Sequence, residues 1–457
     1  MGSRVTDILQ LPSLKTISVT PQENSYVIVA EGRMVPTACT ECRTGRLYGH
    51  GTNSQTYRDT PIHGKTVQII VNRRRYRCQA CGKTLFDPIP DLDGKRLATS
   101  RLIAYVRAAC FRETFAVVAR RVAMDEKTIR QIFGEYVEEL QTKIRFVTPR
   151  FLGIDEIKII SNYRAMITNI ERQTLFDMRE SRKKADLLAY FKTLPDKQRV
   201  EWVAMDMYHV YRQVIQATLP QARIVVDRFH IQRMANEALE RLRKRLRKTL
   251  PERQRLKLKD ERFLLLRRQH DLKPEAMDRL LAWFQRFPQL SEAHALKEGF
   301  LSIWDQRGRS AAEATYTAWL GNVSAEMKPV FKDLLSAMTN WNDEIFAYFE
   351  QPITNAYTES VNGLAKGMNR MGRGYSFDVI RARMLYDPKA RKAGSVQALE
   401  PAPEPEAGTF VGYMTTRIMQ SPVKMRRRTI EYGAHIPTLV KLLESGYFEQ
   451  PNSNDPS

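Results

Sequence analysis

The chain has 457 residues, 43% of them apolar and 27% charged, which is enough for several domains with cores of their own. Its 73 lysines and arginines against 51 acids leave a formal net charge of +22, an excess that favours a polyanionic partner and nucleic acid first among them. No stretch approaches the ~18 continuous apolar residues of a membrane-spanning helix, and a membrane partner is not expected.

The opening Met1-Gly-Ser-Arg-Val-Thr-Asp7 lacks the apolar core of a signal peptide, and residues 1–36 carry no assigned element. Four of the five cysteines fall in CxxC pairs, which suits a reducing cytoplasm better than a disulfide framework. The pairs, Cys39/Cys42 and Cys78/Cys81, stand 35 residues apart. Two residues between thiolates let both sulfurs reach one tetrahedral ion, and Gly82 can take the left-handed conformation that follows such a turn. Residues 37–90 therefore read as a ribbon around a structural zinc. His50 and His63 are surplus to a site that four thiolates complete. The arginines Arg73, Arg74 and Arg75 beside it are expected at DNA phosphates.

Helical periodicity covers 97–147. An apolar Phe115–Val122 segment, a turn ending in Asp125 as N-cap, and a second helix opening with Lys127, Thr128, Arg130 and Gln131 form a helix-turn-helix pattern whose second helix would face DNA. Cys110 falls on an apolar helix face and is expected in the core.

From 150 the period changes. Strands are expected at 151–160, 164–170 and 174–178, then a helix at 185–194, a strand at 200–206, a helix at 208–219 and a strand from 222, giving an α/β order with a mixed sheet over 150–239. Asp155 lies in the middle of the first, apolar strand, where a carboxylate is costly unless a partner or a cation neutralises it. Asp206 and Asp227 end later strands, the position where open α/β sheets place their sites. If the first and fourth strands are neighbours, Asp155 and Asp206 face each other. Their hard oxygens suit Mg²⁺ or Mn²⁺, which can activate a water or hydroxyl and stabilise a leaving oxygen of a phosphodiester. Asp227 is a supporting group or an alternative ligand, and His230 is expected to orient or pack. Glu156 should point to the opposite face of the strand from Asp155.

Residues 240–350 read as an all-helical insertion. Its basic opening, including Arg241 and Arg245, is expected at phosphates, and Trp283, Trp304, Trp319 and Trp341 in its core. Over 351–390 a further helix places Glu359, Asn362 and Lys366 on one face, with Arg370 one turn on. A Pro/Glu-rich linker follows at 391–408, then a basic tail at 409–457.

These motifs together resemble the ISL-three family of bacterial insertion-sequence transposases. The resemblance rests on the CxxC…CxxC ribbon, Phe115-Ala-Val-Val-Ala-Arg120, Gly153-Ile-Asp155-Glu156, Ala204-Met-Asp206-Met, Val226-Asp-Arg-Phe-His230, Thr354-Asn-Ala-Tyr-Thr-Glu359-Ser-Val-Asn362-Gly and Gly372-Arg-Gly-Tyr-Ser-Phe377, and spans roughly residues 37–386. It implies a ribonuclease H-like α/β core with a helical insertion, behind the ribbon and the helix-turn-helix, in a multidomain α+β chain. It also implies an acidic triad of Asp155, Asp206 and Glu359 and divalent-metal cleavage and joining of DNA. The 152 residues between the last two acids fit an insertion-bearing core. The expected partners are the element's terminal inverted repeats and target DNA, bound by a homodimer. A transposase-derived regulator without chemistry and a structure-specific nuclease are the alternatives. The tail does not map onto the family core.

Overall fold

The computed structural model describes residues 8–372, 374–399 and 425–447. Contacts divide the chain into two units, one of residues up to Arg145 with Arg370–Gly374 and the chain from Val440, the other of Phe146–Asn369 and Tyr375–Leu439.

The first unit is built on strands β1 (Leu14–Pro21), β2 (Ser25–Gly32), β3 (Leu47–Ile62), β4 (Lys65–Cys78), β5 (Thr84–Phe86), β6 (Leu92–Asp93) and β7 (Ala98–Thr99). They run in the order β1-β2-β4-β3-β7-β6, with β5 on β4. β3 and β4 make one long antiparallel hairpin, from Ile62↔Lys65 at its turn to Leu47↔Cys78 at its open end. Alternation in β4 buries Val67, Ile69 and Val71 against Ile28, Ala30 and Tyr57. Residues 14–32, which the sequence leaves unassigned, thus supply two strands of the ribbon's own sheet.

Three helices follow: α1 (Ser100–Ala109), α2 (Phe115–Val122) and α3 (Glu126–Lys143). Thr99, Thr114 and Asp125 cap them, each side chain accepting a backbone N–H of the first turn. α2 stops at Ala123, whose left-handed φ of 51° turns the chain toward α3. Val106, Phe111, Phe115, Val118, Ile129 and Phe133 close the core between them, and Cys110 is buried there as expected.

The second unit holds β8 (Phe151–Ile159), β9 (Asn162–Asn169), β10 (Thr174–Arg179), helix α4 (Lys184–Lys192), β11 (Trp202–Met205), α5 (His209–Thr218), β12 (Arg223–Val226) and α6 (Arg228–Arg247). β8 runs parallel to β11, which runs parallel to β12, and β9 and β10 are antiparallel additions on the other side of β8. The pairing Met205↔Ile154 ends β11 just as β8 reaches Asp155. Beyond that point β8 pairs with β9 alone, so the acid stands where the sheet narrows.

α6 runs unbroken across residue 240 and carries the helices α7 (Glu252–Asp260), α8 (Arg262–Leu266), α9 (Pro274–Arg286), α10 (Pro288–Leu301), α11 (Arg309–Gly321), α12 (Lys332–Asn340) and α13 (Asn342–Phe346). Trp283, Trp304, Trp319 and Trp341 lie in one apolar core continuous with the sheet, as their spacing predicts. The basic run opening this region is not a uniformly solvated face. Arg243 is 2% exposed, with its guanidinium on Glu240 and on the Leu258 carbonyl.

Helices α14 (Ala356–Met371) and α15 (Phe377–Tyr386) follow, then β13 (Arg391–Leu399), β14 (Met425–His435) and α16 (Ile436–Glu444). Here the structure corrects the sequence reading. The first part of the expected linker, 391–399, is a strand, and 425–435 of the expected tail is another; residues 400–424 lie outside those described. β14 pairs with β10 and β13 with β14, so the order becomes β12-β11-β8-β9-β10-β14-β13. Gly433 makes that junction: a Cβ there would stand 2.1 Å from the Leu175 carbonyl oxygen, and its φ is +106°. A stretch without apolar alternation gives no sign from sequence that it completes a sheet edge.

Candidate functional site

Two groups of chemistry-bearing residues stand out. At the open end of the β3–β4 hairpin the four thiols of Cys39, Cys42, Cys78 and Cys81 all lie within 4.8 Å of one another. Two equivalent turns present them. The Arg43 N–H donates to the Cys39 carbonyl at 3.0 Å, and the Gly82 N–H to the Cys78 carbonyl at 3.0 Å. Both turn residues are left-handed, Gly82 at φ +73° and Arg43 at +56°, so the first knuckle carries an arginine where glycine would be unstrained. The Cys42 N–H holds the Cys39 thiol below the ordinary thiol range and the Cys81 N–H does the same for Cys78, which favours thiolates at these two, while burial and the neighbouring sulfurs push Cys42 up to about 12. Four sulfurs at this spacing fit a tetrahedral zinc. His50 and His63 are exposed and stand outside the set.

The second group forms where β8, the end of β11, the start of α6 and α14 meet. Asp155 is 8% exposed; its Oδ1 accepts the Glu156 N–H at 2.7 Å and its Oδ2 accepts Asn362 Nδ2 at 2.7 Å. His230 Nε2 lies 2.9 Å from Asp206 Oδ1 and 3.6 Å from Glu359 Oε1, so one imidazole ties the strand-end acid to the helix acid. Glu359 is the most solvent-facing of the three acids. Burial pushes the Asp155 carboxyl up to about 7, and the charge of Asp206 adds to the shift. The bond to Asp206 raises the His230 pKa against the opposing effect of burial. Asn362 Oδ1 is buried without a hydrogen-bond partner in the structure. Acids that repel one another beside an unpaired amide oxygen fit a hard divalent cation. Among the described residues only the cysteines meet the 4.8 Å spacing, so the acids are set more widely.

A buried polar clasp holds α14 against the sheet, and the sequence reading misses it. Asp227 is fully buried: its Oδ1 accepts the Phe229 N–H at 3.0 Å and caps α6, and its Oδ2 accepts the Asn355 N–H at 2.8 Å. Asn355 Nδ2 donates to the Ile154 carbonyl at 3.0 Å, and its Oδ1 accepts the Thr358 hydroxyl at 2.5 Å. Thr358 also meets Thr168 at 2.8 Å. The clasp sits directly on Gly153, where a Cβ would come within 2.4 Å of Thr168 Oγ1 and 2.6 Å of Asn355 Oδ1. The contacts of Asp227 fit the supporting role of the two open to it: it is fully buried, and its oxygens tie the start of α6 to the residue before α14. The available signal was a glycine inside an apolar strand, which marks a close approach.

A family model described as a transposase matches residues 152–384, just over half the chain, and one described as the zinc-finger of transposase IS204/IS1001/IS1096/IS1165 matches residues 36–81. The chain belongs to the ISL-three (ISL3) family of transposases. It is 25% identical over 354 residues to the transposase for insertion sequence element IS1001 of Bordetella parapertussis, an alignment covering 74% of this chain and 86% of that protein. It is 23% identical over 372 residues to the transposase for insertion sequence element IS1557 of Mycobacterium tuberculosis, covering 74% and 82%.

The zinc-finger match contains all four cysteines, so this ISL3 transposase carries a zinc ribbon with a structural metal site. No described helix is long and apolar enough to cross a membrane.

Two of its arginines expected at DNA make bonds inside the ribbon unit. Arg73 Nε donates to Asp87 Oδ1 at 2.7 Å and its Nη1 to the Tyr57 hydroxyl at 3.2 Å, while Arg74 donates to the carbonyls of Gly32 and Met34. Asp87 is fully buried, and an unpaired carboxylate there would be far costlier than two fewer phosphate contacts. Arg75, next along β4, is partly exposed. On α3, Lys127 and Gln131 are exposed and Thr128 is half-buried; Arg130 pairs with Glu126 and covers the Phe115 ring. Arg241 pairs with Asp333 at 3.1 Å, whereas Arg245, Lys366 and Arg370 are exposed. Glu156 pairs with Arg182 and takes no part in the acid group.

Proposed function

We propose that this chain is a DDE transposase that binds the terminal inverted repeats of its insertion sequence and catalyses metal-dependent strand cleavage and strand transfer. The observation that carries this reading is the meeting of Asp155, Asp206 and Glu359, from three separate elements, around His230 and Asn362. A strand carboxylate, a second at the end of the parallel neighbour and a third on a late helix after a helical insertion support a ribonuclease H-like core.

Asp155, Asp206 and Glu359 would hold Mg²⁺ or Mn²⁺, which supplies activation of the attacking oxygen and stabilisation of the leaving oxygen of a phosphodiester. Asn362 fixes the Asp155 carboxylate through its Nδ2, and the Glu156 N–H fixes the other oxygen. His230 holds Asp206 and stands beside Glu359, restricting both acids to one side of the sheet's end. The clasp through Asp227, Asn355 and Thr358 sets where α14, and with it Glu359, lies against β8.

The three-helix segment with exposed Lys127 and Gln131 on α3 is the proposed helix-turn-helix reader, and Arg75 of the ribbon together with Arg245, Lys366 and Arg370 remain for the phosphate backbone. Two DNA ends must be held together for transfer, so a homodimer is the proposed form on DNA.

The test is Mg²⁺-dependent nicking of a duplex carrying the element's ends. Asp155→Ala, Asp206→Ala and Glu359→Ala should each abolish cleavage and keep binding. Undiminished cleavage in any of them would remove that acid from the site, and binding without cleavage by the unaltered protein would favour a regulator.

A further inference from the structure

The acid group accounts for the chemistry but leaves a large feature of the second unit unused. A cleft of about 1140 Å³ opens beside the β8–β9 hairpin, larger than the roughly 300–1,000 Å³ of a small-molecule site. Its walls interleave aromatic rings with cations that outnumber the two acids also on them, Glu180 and Asp186. The Arg182 guanidinium lies 4.0 Å from the Tyr163 ring centroid and 5.1 Å from that of Tyr208, and the Arg179 guanidinium lies 4.5 Å from Tyr190. Lys183 stands exposed at the rim, and Tyr163 is 45% exposed.

The cleft is linked to the acids through two short connections. Arg182 pairs with Glu156, the residue after Asp155, and the Tyr208 N–H donates to the Asp206 carbonyl at 2.7 Å. Asp155 and Glu156 project to opposite faces of β8, so the cleft and the acid group flank the same stretch of strand.

We infer that this cleft receives an unpaired stretch of the DNA strand next to the bond being cut, with a base stacked on Tyr163 and a phosphate drawn by Lys183 at the rim. This rests on the proposed function and adds a substrate feature to it. Duplex DNA keeps its base faces stacked inside and offers a protein only phosphates and groove edges. A row of tyrosine faces alternating with guanidinium planes has no use for that surface, whereas unpaired bases stack on aromatic rings without regard to sequence. Arg179 and Arg182 are also paired with Asp177 and Glu156, which tempers their charge and leaves them as rigid plates positioning the rings. A phosphate-only groove would leave its guanidinium groups uncommitted.

The test compares binding of two DNA ends by fluorescence anisotropy without divalent metal, one blunt and one with its terminal few nucleotides unpaired, a 2-aminopurine reporting stacking in the unpaired segment. The unpaired end should bind about tenfold tighter with quenched 2-aminopurine, consistent with one stacked base. Tyr163→Ala should erase the tenfold advantage and the quenching and leave blunt-end affinity unchanged, and Tyr163→Trp should keep both. Lys183→Ala should reduce the advantage without changing the quenching. Equal affinity for the two ends, or an advantage that survives Tyr163→Ala, would overturn the cleft's role and leave the cleavage reading standing. Failure to bind either end would take both down.

Discussion

Asn362 Nδ2 donates to Asp155 Oδ2 at 2.7 Å, joining residues 207 positions apart, and leaves its own Oδ1 buried and unpaired. The amide thus holds the oxygen that β8, through the Glu156 N–H on Oδ1, leaves unheld, and it adds an oxygen to the same site. Asn362→Ala removes both. It is expected to lower Mg²⁺-dependent strand cleavage by roughly 10–100-fold, the usual effect of losing a group that orients a metal ligand, while end binding is kept. Single-turnover cleavage alongside a binding isotherm checks it; full activity would reduce Asn362 to packing.

The acids themselves were legible in the sequence because each breaks a local pattern: a carboxylate in an apolar strand, a carboxylate ending another, a glutamate on a helix opening after Pro352. The cysteines were legible from spacing alone. The clasp was not, because Asn355, Thr358 and Thr168 are ordinary polar residues whose burial appears only once α14 lies on β8. The partners of Arg73 and Arg74 were hidden for a related reason. A basic run shows its charge but not the buried Asp87 that consumes it. Likewise, a Pro/Glu-rich region drew attention away from 391–399 and 425–435, whose pairing depends on the edge of β10.

Gly153 carries a strict steric demand. Gly153→Ala places a methyl group 2.4 Å from Thr168 Oγ1 and 2.6 Å from Asn355 Oδ1, both in a buried hydrogen-bonded network that cannot move aside cheaply. The expected cost is about 1–3 kcal/mol, seen as a lower midpoint in denaturant unfolding. Cleavage should fall further than stability requires, because α14 carries Glu359. An unchanged midpoint would mean that the clasp is looser than its distances suggest.

Asp227 offers a complementary test of the same clasp. Its two oxygens each accept one backbone N–H, from Phe229 and from Asn355. Asp227→Asn keeps the shape and replaces one acceptor with a donor, so one buried N–H loses its partner. A loss of roughly 1–3 kcal/mol is expected, with no loss of Mg²⁺ affinity beyond what the lower stability explains. A selective loss of Mg²⁺ binding in a stably folded Asp227→Asn would instead make Asp227 a ligand.

The ribbon should depend on its metal. Four thiols within 4.8 Å with no disulfide among them leave the two knuckles held by one ion. Elemental analysis should find zinc at one ion per chain, and Cys42→Ser should lower that content and expose the ribbon's amides to hydrogen exchange. Chelation should release end binding while leaving the second unit's thermal transition in place, since none of the cysteines contributes to that unit's core.

The acid group also sets a pH dependence that can be worked out in sign. Asp155 is held at about 7 in the folded chain against an ordinary value of 3.8, with burial the larger cause. A raised carboxyl favours the protonated folded state, so its penalty is absent below about pH 4, grows as the pH rises and is complete above about pH 7. His230 is raised mainly by its bond to Asp206, so its contribution is full at low pH and is lost as the pH rises through its folded value. Both groups make the metal-free protein less stable on going from about pH 4 to about pH 8. Elsewhere Glu350, held down to about 2 by Arg223 and Arg309, pulls the other way at acid pH, so the slope of the whole protein is not the readout. The readout is the change with pH of the difference between the unaltered chain and Asp155→Asn: the variant loses one acceptor, for Glu156 N–H or Asn362 Nδ2, at every pH, but its stability relative to the unaltered chain should rise from the acid to the alkaline end. Mg²⁺ should raise the unfolding temperature of the unaltered chain at the alkaline end, since binding to the folded state alone stabilises it, and should leave that of Asp155→Asn nearly unmoved. A Mg²⁺ shift of the same size in both would place the cation away from Asp155.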